Sequence, residues 1–515
     1  MRKYNIYYYI ILIIISFITP NMLHSSETAA KNKPNVIFIY ASDFGKGLIS
    51  AYGQKHFSTP NIDYLINNGV SFSNAYGGAR SAPARASLLT GYNGCKKDKW
   101  RISGGGVYIR EDTLYIHQNE DFINEYDILL PENEYYLPQV FRRAGYVTAQ
   151  TGVLGMGNTS TRRQMERYGW DYYYGYLDQV RAEGYYPPFL FESGQIVMIK
   201  GNTRTDAGRG YEPENDAAYK YRWDMKGKKT CAPDLIMDKT LEFIRFFKDW
   251  PFFLLFDTQL LRGPVSIPQI DPEIASNDNL SQVEKEYASM VKLLDKQVGI
   301  ILSEIKKLGL EENTIIVFSS DCGHEIHYNQ QNKFDRPYKN LQTGEKFDNS
   351  YFKYYSDLAG DVFNGNMGLA GLKRSNLEGG IQTPLVFYGK GRWKKYVCND
   401  VVAAYDFIAT MADMLNVKQE TKKDGISLLP LLLKNKKLPK RRHVIIASDE
   451  GPALISNEGW KLRYVRSHSR YELYNLRKDP QEKYDVIRRF PEKAKELESI
   501  LLKECNGNLD NGIYY

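Results

Sequence analysis

Apolar residues in this chain gather into short continuous runs. Asn35-Val-Ile-Phe-Ile-Tyr-Ala41, Phe252 to Phe256, Thr314-Ile-Ile-Val-Phe-Ser319 and Pro384-Leu-Val-Phe-Tyr388 are rich in β-branched and aromatic residues. Such runs predict strands buried on both faces. Val147 to Thr151 predicts another strand. The intervening segments carry helical patterns. Thr59 suits an N-cap with Pro60 at the first helical position, and a helix is expected from Ala84 to Thr90, just after Pro83. Further helices are expected over Leu137–Ala144, Lys239–Lys248, the long amphipathic stretch Leu280–Leu308, and Ala404–Leu415. Buried strands alternating with helices predict an α/β fold with helices on both faces of the sheet. Ligands of such folds bind at loops that follow strand ends.

The pattern changes after the basic run Lys434 to Arg442. Short strands, a turn at Lys478-Asp-Pro480 and a final helix from Pro491 to Lys503 predict a small C-terminal α+β domain. The expected organisation is a leader over residues 1–27, a main domain over 34–435 and the small domain over 436–515. A length of 515 residues is ample for this.

The leader reads as a signal peptide. Arg2 and Lys3 precede an apolar stretch from Tyr7 to Ile18, and a polar segment runs from Ser25 to Lys33. The apolar stretch is short for a membrane span, and no Cys near its end supports a lipid anchor. The expectation is export to the periplasm or the extracellular space, with membrane contact only through this segment. An uncleaved anchor is the other reading. The net charge of +7 is spread through the chain, which fits an anionic substrate and does not argue for nucleic acid, and no nucleic-acid-binding motif appears, so no nucleic acid partner is expected. The five cysteines show neither a CxxC pair nor regular spacing, so neither a disulfide framework nor a zinc finger is predicted.

Candidate chemistry centres on Ser81-Ala-Pro-Ala-Arg85, within Asn74 to Gly91. A small nucleophile, a proline two residues on, an arginine four residues on and an apolar run resemble the sulfatase activation motif. Other landmarks keep the sulfatase order: Thr59-Pro-Asn-Ile-Asp63, Ala144-Gly-Tyr-Val-Thr148, Gly175-Tyr-Leu-Asp-Gln179, Leu377-Glu-Gly-Gly-Ile381, Gly459-Trp-Lys-Leu462 and Glu472-Leu-Tyr-Asn-Leu. From Pro34 to about Leu502 the chain resembles the sulfatases of the alkaline phosphatase superfamily.

That resemblance implies a mixed sheet flanked by helices. It implies oxidation of Ser81 to formylglycine by a maturation enzyme, with the aldehyde hydrate attacking sulfur. Arg85 would hold the nucleophile oxygen and Lys373 would contact sulfate. The substrate would be a sulfated carbohydrate or an aryl sulfate, and calcium would be the metal.

Several positions depart from the family pattern. Where the family has Asp-Asp after the first strand, this chain has Ser42-Asp43, and where it has Asp-Asn-Gly, the chain has Asp321-Cys322-Gly323. Calcium wants oxygen ligands, so these four positions predict a weakened site. Asp43, Asp321, Cys322 and His324 offer an alternative donor set for a softer metal. Val153 stands at the catalytic lysine, Gly155 at a frequent histidine, and Arg262 at the histidine of the PHxP segment. Arg181, Glu183, Asn93 and Lys96 stand where one bacterial subgroup carries histidines. Arginine cannot supply a proton at neutral pH but does grip anions, so Arg262 is a candidate substrate-binding residue.

Two readings of function follow. One is a sulfuric ester hydrolase acting through Ser81. The other is a degenerate relative that binds sulfated or anionic glycans without cleaving them. A phosphoesterase using unmodified Ser81 would need a complete metal site. Ser81 would otherwise be an ordinary helix cap. The tyrosines of Tyr172–Tyr176 and Tyr185-Tyr186 suit either stacking on sugar rings or packing in the core.

Overall fold

The structure is a computed structural model. It describes residues 33–99, 131, 134–155, 162–177, 179, 181–203, 223–263, 267–326, 334–335, 339–340, 361–434 and 443–514. The predicted leader, Met156 and Gly157, Asp178 and most of the basic run after Lys434 lie outside them.

Among the described residues, a sheet of ten strands forms the centre. Its strands are β1 (Asn35–Ala41), β2 (Val70–Tyr76), β3 (Val147–Val153), β4 (Tyr172–Tyr176), β5 (Phe189–Glu192), β6 (Gln195–Met198), β7 (Phe252–Asp257) and β8 (Thr314–Ser320), with two more beyond a short hairpin. That hairpin is β9 (Phe334–Asp335) with β10 (Lys339–Asn340), and the two later strands are β11 (Leu385–Gly389) and β12 (Tyr396–Ala403). The spatial order is β12-β2-β11-β8-β1-β7-β3-β4-β5-β6. β1 runs parallel to β7 and β8, and β3 runs parallel to β7 and β4. β11 is antiparallel to both its neighbours, so the sheet is mixed. The apolar runs of β1, β7 and β8 are buried along their whole length, as strands covered on both faces must be.

Helices cover both faces. They include α1 (Pro60–Asn68), α2 (Ser81–Thr90), α3 (Ala232–Phe246), α4 (Gln282–Lys307) and α5 (Asp406–Met414). Ser281 and Glu284 close a capping box that starts α4. The helix expected after Pro83 begins earlier, at Ser81, because a proline in the first turn forfeits no intrahelical bond. The helix expected from Lys239 also starts earlier, at Ala232, with Pro233 in its first turn.

A second, four-stranded antiparallel sheet holds β13 (His443–Ile446), β14 (Ala453–Ser456), β15 (Trp460–Val465) and β16 (Arg470–Asn475). The last helix, α6 (Pro491–Glu504), lies against it. A buried charge cluster joins the two sheets: Lys461 on β15 lies 2.8 Å from both Glu378 and Glu482. Tyr76, at the end of β2, donates to Glu378 at 2.9 Å. The landmarks Leu377–Ile381 and Gly459–Leu462 therefore meet in a structural ion cluster. Thr59–Asp63 is also structural, since the backbone amides of Asn61 and Ile62 donate to Asp295 of α4 at 3.0 and 2.8 Å.

Candidate functional site

Four elements converge at the C-terminal edge of the sheet: the ends of β1, β7 and β8, and the first turn of α2. Ser42 and Asp43 follow β1, Asp257 ends β7, Asp321 and Cys322 follow β8, and Ser81 and Arg85 lie one helical turn apart on α2. Asp43 is held in the left-handed region at φ +55°, with its amide donating to Asp321 Oδ1 at 2.8 Å. Aspartate tolerates that conformation better than most residues.

Ser81 is not the helix cap. Arg80 holds that position, without a side-chain cap bond, and Ser81 Oγ points to Asp43 Oδ1 at 3.3 Å. Arg85 is fully buried and spends its guanidinium on carboxylates. Its Nε donates to Asp257 at 2.8 and 3.0 Å, and Nη2 donates to Asp257 as well. Nη1 donates to Asp321 Oδ2 at 2.6 Å. These carboxylates hold the guanidinium charged against the cost of burial. Burial in turn pushes the Asp257 carboxyl up to about 6, with Arg85 pulling it back. Lys373, the predicted sulfate contact, lies 2.7 Å from Asp43 Oδ2.

Asp257 escaped the sequence reading, which ended the strand at Phe256. The usable signal was an acidic residue directly closing an apolar strand, where this fold places its site.

Calcium does not fit the donors. Ser42 Oγ accepts from Arg85 Nη2 at 3.0 Å and from Arg262 Nε at 3.3 Å, and donates to the Thr258 carbonyl at 3.0 Å. A hydroxyl has one proton and two lone pairs, so Ser42 is fully used, and by two cations. A lysine ammonium and an arginine already sit on the two remaining carboxylates. Asp43, Asp321 and Cys322 nevertheless form a compact triad, with ligand atoms within 4.8 Å of one another, that can hold a small metal ion. Burial and the adjacent Asp321 push the Cys322 thiol well up, so it stays protonated and donates to Asp321 and Asp43 at 3.1 and 3.3 Å. His324 does not join the triad. Its ring faces Tyr287 Oη at 3.4 Å and Asp361 at 3.7 Å.

The remaining expected positions fall as follows. Val153 is wholly buried in the apolar core. Gly155 has φ +76°, and a Cβ there would lie 2.2 Å from Arg85 Cδ, so the residue must be glycine for Arg85 to pass. Arg262 is buried and donates to the Gln179 carbonyl at 3.0 Å and to its side chain. Arg181 packs over the Phe189 ring at 4.8 Å. Asn93 and Lys96 turn away from the cluster, to Asp424 and Asn506 at 2.9 and 2.8 Å. Tyr173, Tyr174, Tyr176, Tyr185 and Tyr186 are buried, and Tyr185 Oη donates to the Arg262 carbonyl at 2.8 Å. These tyrosines pack the core and do not present rings to a sugar.

The sulfatase family profile matches residues 34–417. The chain belongs to the sulfatase family. It is 25% identical over 534 aligned residues to the N-acetylgalactosamine-6-O-sulfatase of Bacteroides thetaiotaomicron, covering 91% of this chain and 92% of that one. The human N-acetylgalactosamine-6-sulfatase is 22% identical, with 79% of this chain and 67% of that one covered. A solved sulfatase described within glycosaminoglycan metabolism by Bacteroides thetaiotaomicron superposes with a TM-score of 0.67 at 22% identity, covering 92% and 99% of the two chains. A structure solved in complex with D-glucosamine-2-N,6-O-disulfate gives 0.61 at 17% identity, with 93% and 99% covered. These solved structures share the fold. Sulfatases generally use a metal and a formylglycine.

Proposed function

We propose that this sulfatase-family protein is an exported binder of sulfated glycans in which ordinary metal-dependent hydrolysis has been lost. The observation that carries the reading is the Arg85–Asp257 ion pair. The arginine of the activation motif is spent on an internal carboxylate, while Ser42 is enclosed by two guanidiniums. Val153, which the resemblance places at the lysine that would face the ester, is an apolar side chain wholly buried in the core. Each such lost group costs on the order of 10²-fold or more in rate. Sulfated glycans are supported as the ligand class by the relatives above and by the basic balance of the chain. Of the three cations in the cluster, Lys373 has the most exposed side chain and is the natural sulfate contact, with Arg262 behind it. Export rests on the leader alone, and the periplasm is its destination in a Gram-negative host.

The competing reading, sulfuric ester hydrolysis through formylglycine, is favoured by one observation: the intact Ser81-to-Arg85 spacing with Ser81 Oγ aimed at Asp43. Protein purified from its native host separates the two. Trypsin cleaves after Arg80 and Arg85, so the mass of Ser81-Ala-Pro-Ala-Arg85 reports modification by a maturation enzyme. Incubation with sulfated N-acetylgalactosamine glycans then reports turnover. Saturable binding without sulfate release, and no calcium uptake at millimolar concentration, is the expected result. Sulfate release that disappears in Ser81→Ala overturns the proposal and establishes the hydrolase.

A further inference from the structure

The five cysteines show no pairing pattern in sequence, yet two of them meet. Cys95 and Cys505 lie 410 positions apart, and their sulfurs are 3.3 Å apart. Both are buried. Cys95 sits on the loop that leaves α2, the helix carrying Ser81 and Arg85. Cys505 caps the C-terminus of α6, the last helix.

The surroundings hold the two segments in register. The Cys95 amide donates to Asn93 Oδ1 at 2.9 Å, and Asn93 Nδ2 reaches Glu504 at 3.3 Å. Lys96 Nζ donates to Asn506 Oδ1 at 2.8 Å. Lys97 donates to the Ile513 carbonyl and lies 5.6 Å from the Tyr514 ring centre. Contacts on both sides of each cysteine thus fix the thiols against each other. A disulfide needs sulfurs about 2.05 Å apart, which asks each sulfur to move by only about 0.6 Å.

We propose that Cys95 and Cys505 form a disulfide that staples the C-terminal helix to the loop leaving the Ser81 helix. The two thiols give up two protons and two electrons as the S–S bond forms. A small-molecule disulfide or an oxidised dithiol protein accepts them and is reduced to two thiols, so the step balances. Exported compartments supply such oxidants, and the bond forms while the chain folds, before the thiols are covered. The staple closes a loop spanning most of the chain, which makes it a strong constraint on the unfolded state. It stands independently of the glycan reading, since neither cysteine touches the Ser81 cluster.

The test is a peptide map of the full-length protein refolded in a buffer of oxidised and reduced glutathione, then denatured and alkylated. Trypsin places Cys95 in Ala86–Lys96 and Cys505 in Glu504–Tyr515. The expected result is one linked species of these two peptides, two hydrogens lighter than their sum, which separates on reduction. Full alkylation of both cysteines in the oxidised sample overturns the proposal. A melting curve adds a second readout. The oxidised protein melts several degrees above the reduced one, and Cys95→Ala abolishes that difference while Cys398→Ala retains it. An oxidised-minus-reduced difference that persists in Cys95→Ala also overturns it.

Discussion

Asp257, at the end of β7, holds the buried guanidinium of Arg85 through both carboxylate oxygens, at 2.8 and 3.0 Å from Nε. The arginine of the activation motif is thereby neutralised from inside the protein. With Asp321 on its other edge and Lys373 on Asp43, the cluster matches three carboxylates to three cations once Arg262 is included.

Removing the charge of Asp257 should release Arg85 for an external anion. Asp257→Asn is expected to bind a sulfated glycan about tenfold more tightly at pH 7, since one compensating charge is worth on the order of one pKa unit or more here. Because burial raises the Asp257 carboxyl to about 6, it is ionised at pH 7 and protonates as pH falls. Wild-type affinity should therefore rise between pH 7 and pH 5, and that of Asp257→Asn should stay flat. Calorimetric titration at several pH values checks both. A flat wild-type profile would detach Asp257 from ligand binding.

Lys46 is buried, and among the described residues its ammonium donates to neutral acceptors, the Ser73 carbonyl at 2.6 Å and Gln382 Oε1 at 3.1 Å. Burial lowers its pKa from 10.5 to about 8. Below pH 8 both folded and unfolded chains carry the proton, and the folded state bears the cost. Between pH 8 and 10.5 the unfolded chain binds more protons, so stability rises with pH. The stability of wild type minus that of Lys46→Met should increase by about 3 kcal/mol across that window. Denaturant titrations of the two proteins at matched pH measure it.

Lys461 sits between Glu378 and Glu482, and all three side chains are shielded from solvent. Lys461→Met leaves two buried carboxylates without their cation. Breaking a buried pair this way typically costs about 3–5 kcal/mol. Chemical denaturation should show that loss, and the double change Lys461→Met with Glu378→Gln should recover part of it.

Gly155→Ala should also destabilise. Its φ of +76° disfavours any side chain, and the added Cβ would lie 2.2 Å from Arg85 Cδ. The expected cost is about 2 kcal/mol or more. Any side chain at this position would require Arg85 to shift. A variant as stable as wild type would show that Arg85 is free to move.

Local chemistry determined much of this protein before any coordinates. Short apolar runs rich in β-branched and aromatic residues favour strands buried on both faces, so β1, β7, β8 and β11 were legible to within a residue or two. The sequence opened the Ser81–Arg85 helix only after Pro83, and it was the structure that drew Ser81 into the first turn, one turn before Arg85. Asp43, Asp321 and Cys322, singled out as one site from sequence, do lie together in the structure. What tertiary structure decided was which charges meet. Arg85 and Asp257 are 172 positions apart, Lys461 and Glu378 are 83 apart, and Cys95 and Cys505 are 410 apart. No periodicity encodes such separations, because they depend on sheet order and on how the second sheet docks. The tyrosine segments show the same limit. Their composition suited a sugar platform equally well, and only the packing around them placed the rings in the core.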